Sequence, residues 1–362
     1  MNLSRPRKTS DLSRKFFLSL AALAILLALS GLQNVQAATV YPTPCSIDGT
    51  NFSPACIWKL NHLRVAVVNS LFTSTAYFSN SGSFYNFYHD FAGSKNCVTQ
   101  ELDQLNLTLY SFGWDVYEQP LQTFVMSDER RGLLNESLVN FLTDVNVDHG
   151  SLFRSDNTTR RFDVAILGFT EYVSLREYNY LKQFVASGGK LIVLDGSSFL
   201  AEVNYNFMAN RVSLVLGHGW SFNGTVACPS MYHRWITENS NWVGSEYCCF
   251  YGTEHYSMGG ATANTTDTLS AILRKVYGNV TLFTSYLGHE ENVLSNSTDS
   301  VIAYWHYVGG NFSGYSLPFP LVTAMYAHHY QKGVVIHTGI FATDMLSHSN
   351  MQFLVNSAMI KT

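Results

Sequence analysis

Residues 162–196 read FDVAILGFTEYVSLREYNYLKQFVASGGKLIVLDG, and their pattern decides the fold class. The apolar run at 162–168 has the form of a buried strand, and 190–196 repeats it. Between them, residues 174–187 place apolar side chains at helical spacing, and two glycines follow where a helix ends in a left-handed residue. A helix between two such strands predicts a β-α-β unit with parallel strands and a right-handed crossover.

Strand and helix patterns of the same kind lie on both sides of this unit. An apolar, β-branched run at 63–68 predicts a strand, and a polar, aromatic loop at 69–83 follows it. Residues 128–143 carry apolar side chains at helical spacing, and the chain closes with a strand at 333–339 and a helix at 351–359. This alternation predicts an α/β fold with a doubly wound, mostly parallel sheet.

The 362-residue chain divides into five parts by composition. The expected organisation is a secretory signal at 1–37, a cysteine-containing leader at 38–60, a first part of the α/β core at 61–202, a large irregular, β-containing insertion or subdomain at 203–320, and the last strand and helix of the core at 321–362.

The expected signal has three parts in the usual order. Basic residues precede an apolar run from Phe16 to about Leu32, and Val35-Gln36-Ala37 offers a small-residue cleavage site. The apolar run is at the lower limit for spanning a bilayer, so an uncleaved anchor helix is the alternative. In either case we expect the bulk of the chain to be secreted or at the cell surface, with no membrane span after cleavage.

The composition excludes one class of partner. Only 13% of the residues are charged, the formal net charge is -4, and no basic cluster follows the signal. Nucleic acid is therefore not an expected partner. With 46% hydrophobic residues the chain can form a large core, and a small molecule or a surface ligand is the expected partner.

Cysteines and glycosylation sequons fit an exported chain. The six cysteines are Cys45, Cys56, Cys97, Cys228, Cys248 and Cys249. An even number in an exported protein predicts disulfides, and we expect Cys45 to pair with Cys56 across a short segment. The nine N-x-[ST] sequons are at Asn51, Asn106, Asn135, Asn157, Asn223, Asn264, Asn279, Asn296 and Asn311. They exceed what the composition supplies by chance and predict a glycoprotein.

Open α/β sheets bind ligands at the carboxyl ends of their strands. The loops at that edge are 69–83, 168–174, 195–201 and 339–344. Glu171 stands where a nucleophile elbow would present its side chain, and no Ser or Cys occupies the turn, so acyl-enzyme chemistry is not predicted. Glu171 could act as a general base or a metal ligand. The alternative is that it only stabilises the first turn of the following helix.

Two short motifs resemble a known family. The run 167–174 (LGFTEYVS), followed by a helix, two glycines and a strand, resembles the C-terminal domain of the N,N-dimethylformamidase large (beta) subunit, which has a class I glutamine amidotransferase-like fold. Residues 72–77 (FTSTAY) are similar to that family's T-x-x-A-Y-N segment. The resemblance extends over two blocks, 63–200 and 333–362.

In that family, iron held by tyrosinates and a glutamate activates water to cleave a small amide. The resemblance implies that Tyr77 and Glu171 are metal ligands and catalytic residues, and that iron is the cofactor. Phe169 stands where the family has a histidine, and residues 195–197 (DGS) replace its Gly-Gly-Asn loop.

Two further residues are candidates for the site. His218 lies between two glycines, which allow close backbone approach, and the alternative for it is a structural role. Asp195 ends a strand at the ligand-binding edge and could pair with a histidine. The runs 217–220 (GHGW) and 241–245 (NWVGS) resemble exported proteins of ammonia-oxidising archaea.

Two functions follow as hypotheses. The first is a metal-assisted hydrolase of small non-peptide amides, with Glu171, Tyr77, His218 and Asp195 as site residues. The second is a non-catalytic exported glycoprotein that uses the same fold as a binding or structural scaffold.

Overall fold

The fold is described from a computed structural model. The described residues are 45–48, 51–78, 84–91, 93–99, 105–106, 118–224, 226–251, 255–260, 289–294, 300–309, 322–347 and 349–360. The expected signal and most of the leader lie outside these residues.

The elements are named in chain order. The strands are β1 (Ile47–Asp48), β2 (Asn51–Phe52), β3 (Val65–Asn69), β4 (Val98–Thr99), β5 (Leu105–Asn106), β6 (Val139–Thr143), β7 (Val164–Leu167), β8 (Tyr172–Ser174), β9 (Lys190–Leu194), β10 (Ala201–Asn206), β11 (Arg211–Gly217), β12 (Trp220–Asn223), β13 (Val226–Pro229), β14 (Ser245–Tyr251), β15 (His255–Gly260), β16 (His289–Leu294), β17 (Ser300–Gly309), β18 (Val322–Tyr330) and β19 (Gly333–Thr338). The helices are α1 (Pro54–Asn61), α2 (Leu71–Phe78), α3 (Phe84–Phe91), α4 (Gln119–Arg130), α5 (Asp144–Asp148), α6 (Leu175–Ala186), α7 (Ile236–Trp242), α8 (Ala342–Ser347) and α9 (Ser349–Ile360).

The main sheet has eight strands in the order β15-β17-β18-β19-β9-β7-β3-β6. From β6 to β19 the neighbours pair in parallel, whereas β18, β17 and β15 pair antiparallel. Within the parallel part, the first strand along the chain (β3) lies between the second (β6) and the third (β7). The chain therefore reverses direction across the sheet between β3 and β7, and this switch point is where open sheets of this kind bind ligands.

A second sheet begins with β8, which follows the carboxyl end of β7 in the main sheet. Its order is β4-β13-β12-β11-β10-β8, and β5 also pairs with β11. Strand β8 follows the loop after β7 and pairs in parallel with β10, while the other pairs are antiparallel.

The architecture is mixed α/β with two mixed sheets, which corrects the prediction of a mostly parallel sheet. The segment predicted as an insertion supplies β10–β13 to the second sheet and adds β15 and β17 to the main one. Short connections join β10 to β13 in succession, and such connections make neighbouring strands antiparallel, because crossover helices are needed only between parallel neighbours.

Helices cover both faces of the parallel strands. Val65 and Val67 of β3 pack into one core with α1, α4, α8 and α9, and Ala66 and Val68 pack into the other with α5, α6 and α7. Successive side chains of a strand point to opposite faces, so a strand buried on both sides is apolar throughout.

The central β-α-β unit is confirmed. Strands β7 and β9 are parallel neighbours, with α6 between them in the chain. The side chain of Ser174 accepts a hydrogen bond from the backbone N–H of Glu177, which starts the helix at Leu175. Gly188, at φ +103°, ends it.

Two local predictions were wrong. Residues 128–143 are not one helix: α4 ends at Arg130, and Val139–Thr143 forms the edge strand β6. Residues 71–78 are not a loop but helix α2. Its first turn depends on distant carboxyl groups, since the backbone N–H groups of Ser70 and Phe72 donate to Glu118 and Asp144.

Two disulfides lie within the described part of the chain. The expected Cys45–Cys56 bond is present, and a second bond joins Cys97 to Cys228. Both are compatible with an extracellular protein. Helices with the length and apolar character needed to cross a bilayer do not occur among the described residues.

Candidate functional site

The candidate site lies at the switch point, beyond the carboxyl ends of β3 and β7. Helix α2 follows β3 and carries Tyr77 in its last turn. The loop after β7 carries Glu171, immediately before β8. The backbone carbonyl of Glu171 accepts hydrogen bonds from the N–H groups of Leu200 (2.9 Å) and Ala201 (3.1 Å), which tie this loop to the start of the second sheet.

Glu171 is 1% exposed and has two different partners. The phenol of Tyr77 donates a hydrogen bond to one carboxylate oxygen. Nε2 of His218 forms an ion-pair contact with the other. Helix α6 has Ser174 as its N-cap, so Glu171 lies outside the helix and does not stabilise its first turn. Its side chain instead connects two segments that are far apart in the sequence.

His218 occupies a tight turn between β11 and β12. It has a positive φ of 51° and lies between Gly217 and Gly219, which also have positive φ values. Its backbone N–H donates to the carbonyl of Tyr232 at 2.7 Å, and that of Gly219 donates to Met231 at 3.1 Å. A left-handed histidine is uncommon, and such backbone strain is concentrated at functional sites.

Aromatic rings surround the pair formed by Glu171 and His218. Tyr172 stacks on His218 at a centroid distance of 5.2 Å and an angle of 27°. On other sides of the imidazole lie Tyr88 (5.3 Å) and Tyr232 (5.6 Å). His218 is only 5% exposed, and its Nδ1 has no hydrogen-bond partner within the described residues.

Asp195 does not join the cluster of Glu171, His218 and Tyr77 through any described contact. Its buried carboxylate accepts hydrogen bonds from the N–H of Thr170 at 3.2 Å, from the N–H and hydroxyl of Ser197 at 3.1 Å each, and from the hydroxyl of Ser198 at 3.3 Å. These bonds hold the loop that carries Glu171, so Asp195 has the geometry of a positioning residue.

Sequence reasoning missed Tyr88, Tyr172 and Tyr232. The chain has 21 tyrosines, and nothing in the local pattern separates Tyr88 and Tyr232 from the others. The one usable signal was that Tyr172 directly follows Glu171.

The turn that carries His218 allows a stability prediction. A Cβ at Gly217 would lie 2.5 Å from Cβ of Ala201 and 2.9 Å from the carbonyl oxygen of Leu200. We expect Gly217→Ala to lower the free energy of unfolding by about 3 kcal/mol, because overpacking adds to the strain of a positive φ. Urea unfolding of the purified protein measures this loss.

Gly219→Ala is the matched control. Gly219 also has a positive φ, but its added Cβ would meet no atom within 4 Å. We expect this variant to lose about 1 kcal/mol, from backbone strain alone. Equal losses for the two variants would contradict the close packing of Gly217 against Ala201.

Comparisons with known proteins show only distant likenesses. No protein-family model matches the chain, and no curated protein sequence is significantly similar to it. A ThuA-like protein from Bacteroides uniformis aligns with 81% of this chain and 88% of its own, at 10% identity and a TM-score of 0.42. A β-galactosidase from Rahnella sp. R3 aligns with 79% of this chain and 30% of its own, at 12% identity and a TM-score of 0.39. A β-galactosidase from Halorubrum lacusprofundi aligns with 87% of this chain and 31% of its own, at 9% identity and a TM-score of 0.40.

The chain thus spans about a third of the length of the β-galactosidases it aligns with. Likenesses this distant do not identify an activity.

Proposed function

We propose that the protein is an exported, metal-assisted hydrolase of small non-peptide amides. The observation that carries the proposal is the convergence of Tyr77, Glu171 and His218 at the switch point of the main sheet. The three side chains come from α2, from the loop after β7 and from the turn between β11 and β12. Such convergence of ionisable and protic groups at the ligand-binding edge is typical of an active site.

The fold supports the same proposal. Five parallel strands with helices on both faces, and the first strand between the second and third, fit a glutamine amidotransferase-like core. This agrees with the resemblance of the segments around Tyr77 and Glu171 to N,N-dimethylformamidase.

The donor atoms fit an iron ion. A phenol oxygen, a carboxylate and an imidazole nitrogen are hard or intermediate ligands, of the kind that iron accepts. Tyr77, Glu171 and His218 would hold the ion. Groups of three or more His, Cys, Asp or Glu side chains with metal-binding geometry do not occur in the described part of the chain, so the phenol of Tyr77 is needed to complete this set. When bound, the ion would supply Lewis-acid chemistry.

The protein's own residues have separate tasks. Glu171 orients both Tyr77 and His218, since each contacts a different oxygen of its carboxylate. Nδ1 of His218 has no hydrogen-bond partner among the described residues, so it can form a hydrogen bond to a bound molecule. The ring of Tyr172 stacks on the imidazole and excludes water from that face.

The test is metal content and amidase activity of the exported protein. We expect about one iron or zinc ion per chain and hydrolysis of small amides such as formamide and its N-methylated forms. Glu171→Gln should remove the metal and lower kcat/KM at least 10³-fold, because a carboxylate ligand is lost. Tyr77→Phe, which keeps the ring, should weaken metal binding.

Glu202→Gln is the control. Glu202 lies on β10, is partly buried and pairs with Arg234. No described interaction joins it to Tyr77, Glu171 or His218. The Glu202→Gln variant should therefore retain both the metal and the activity. A metal-free protein that is inactive on every amide would rule out the hydrolase and favour a non-catalytic glycoprotein scaffold.

We further propose that the protein is secreted or held at the cell surface and is N-glycosylated. Asn51, Asn157 and Asn223 are exposed sequon residues; Asn157 lies in a bend and Asn223 is the last residue of β12. We expect all three to carry glycan in a host with the machinery, which peptide mass spectrometry would detect. Unmodified asparagine at all three sites would contradict this.

A further inference from the structure

We infer that Tyr88 and Tyr232 form a side-chain gate over His218, and that the gate admits small neutral molecules to the site. The kind of molecule admitted by the gate rests on the proposed function. The position of the two tyrosine rings over His218 is observed directly.

The cover consists of two rings from separate segments. Tyr88 belongs to α3, and Tyr232 to the segment after β13. Their ring centroids are 6.0 Å apart, and their hydroxyls approach to 3.3 Å. Both rings pack against His218, and Tyr172 packs on its other side. His218 is 5% exposed whereas Tyr232 is 42% exposed, so Tyr232 lies between the imidazole and solvent.

The backbone beneath each ring is anchored. Phe87, the neighbour of Tyr88, is buried and packs edge-on against Trp220 at 5.1 Å. The carbonyl of Tyr232 accepts the 2.7 Å hydrogen bond from His218. The Cys97–Cys228 disulfide joins the chain after α3 to β13. Opening therefore requires rotation of the two side chains, a fast motion, and not displacement of either segment.

The lining restricts what can enter. Tyr88, Tyr232 and His218 present phenol and imidazole groups, which can donate and accept hydrogen bonds. Within the described residues, Glu171 has no ion pair with a lysine or arginine, and its one ion-pair contact is with His218. In the protein without a bound ion, a negatively charged ligand would meet the carboxylate of Glu171, and no lysine or arginine of the described residues pairs with that carboxylate to offset the repulsion. The gate thus favours small uncharged molecules that can donate and accept hydrogen bonds.

Chemical labelling of His218 tests the gate independently of amidase activity. Diethyl pyrocarbonate carbethoxylates accessible histidines, and peptide mass spectrometry measures the rate at each one. The exposed His149 and the buried His337, 2% exposed, are internal references for fast and slow reaction. In the wild type we expect His218 to react slowly, near the rate of His337.

Tyr88→Ala and Tyr232→Ala should each speed labelling of His218 at least 10-fold relative to His149. The phenylalanine variants keep the rings but remove the hydroxyl contact, and should change the rate less than 3-fold. Tyr180→Ala, which removes a partly buried ring packed on Phe153, is the control and should have no effect on His218.

Samples are compared before and after dialysis against EDTA, so that a bound ion does not decide the result. An unchanged rate at His218 in both alanine variants after dialysis, with native circular dichroism, would overturn the gate. Fast labelling in the variants of a protein without amidase activity would support the gate while contradicting the proposed function.

Discussion

Replacing both Cys97 and Cys228 with serine is expected to lower the free energy of unfolding by about 5 kcal/mol. The disulfide joins residues separated by 131 positions, so it removes a large part of the chain entropy of the unfolded state. Cys97 is exposed and Cys228 partly buried, so the substitutions leave little cavity and act mainly through the unfolded chain. Urea unfolding under non-reducing conditions measures the loss.

The second disulfide provides the matched comparison. Cys45 and Cys56 are separated by only 11 positions, and Cys45→Ala with Cys56→Ala should cost about 3 kcal/mol in chain entropy. Adding a reductant to the wild type should lower its free energy of unfolding at least as much as the Cys97/Cys228 double substitution does. A smaller loss for Cys97/Cys228 than for Cys45/Cys56 would contradict the loop-length argument.

Glu118→Gln is expected to stabilise the protein at alkaline pH and to have little effect at pH 5. Burial raises the pKa of Glu118 to about 8, and the nearby charge of Asp144 adds to this against the hydrogen bond from Ser70. The folded protein therefore holds a proton that the unfolded chain releases near pH 4.5. The stability due to that proton is complete below pH 4.5 and is lost as the pH rises through about 8.

Glutamine can still accept the bond from Ser70 but does not titrate. At pH 5 the variant and the wild type should thus have similar stability, and at pH 9 the variant should be more stable by about 4 kcal/mol. Urea unfolding at a series of pH values measures the difference. Because other groups titrate in this range, the comparison between variant and wild type is the quantity that isolates Glu118.

Asp156→Asn is the control for this experiment. Hydrogen bonds from Thr159 and Thr158 lower the pKa of this exposed carboxylate to about 2. Its effect on stability should therefore be constant between pH 5 and pH 9. If Glu118→Gln also showed no pH dependence in that range, Glu118 would be ionised in the folded protein and the argument from burial would be wrong.

Several features of the fold could be predicted because they depend on neighbouring residues. Local patterns predicted β7, β9, α6 and the glycine that ends α6. The structure confirms all four. The Cys45–Cys56 bond was predictable for the same reason, since a short segment keeps the two residues close.

Other features depend on contacts that no local pattern reveals. The β18–β19 hairpin turns through Gln331 and Lys332, with Gln331 at a φ of 52° that sequence rules reserve for glycine or asparagine. Helix α2 was read as a loop because the carboxyl groups that bind its first turn, Glu118 and Asp144, come from distant segments. At α2, tertiary contacts outweighed local propensity.

The sequence by itself determined that a carboxylate, Glu171, stands at the ligand-binding edge of a parallel sheet, because strand direction fixes which loops share that edge. Only the tertiary structure decided its partners. Tyr77 reaches Glu171 because α2 forms, and His218 reaches it because β8 and β10 pair and bring the second sheet over the switch point. The physical reason is that strand and helix patterns are encoded by near neighbours, whereas the meeting of three distant side chains depends on how whole elements pack.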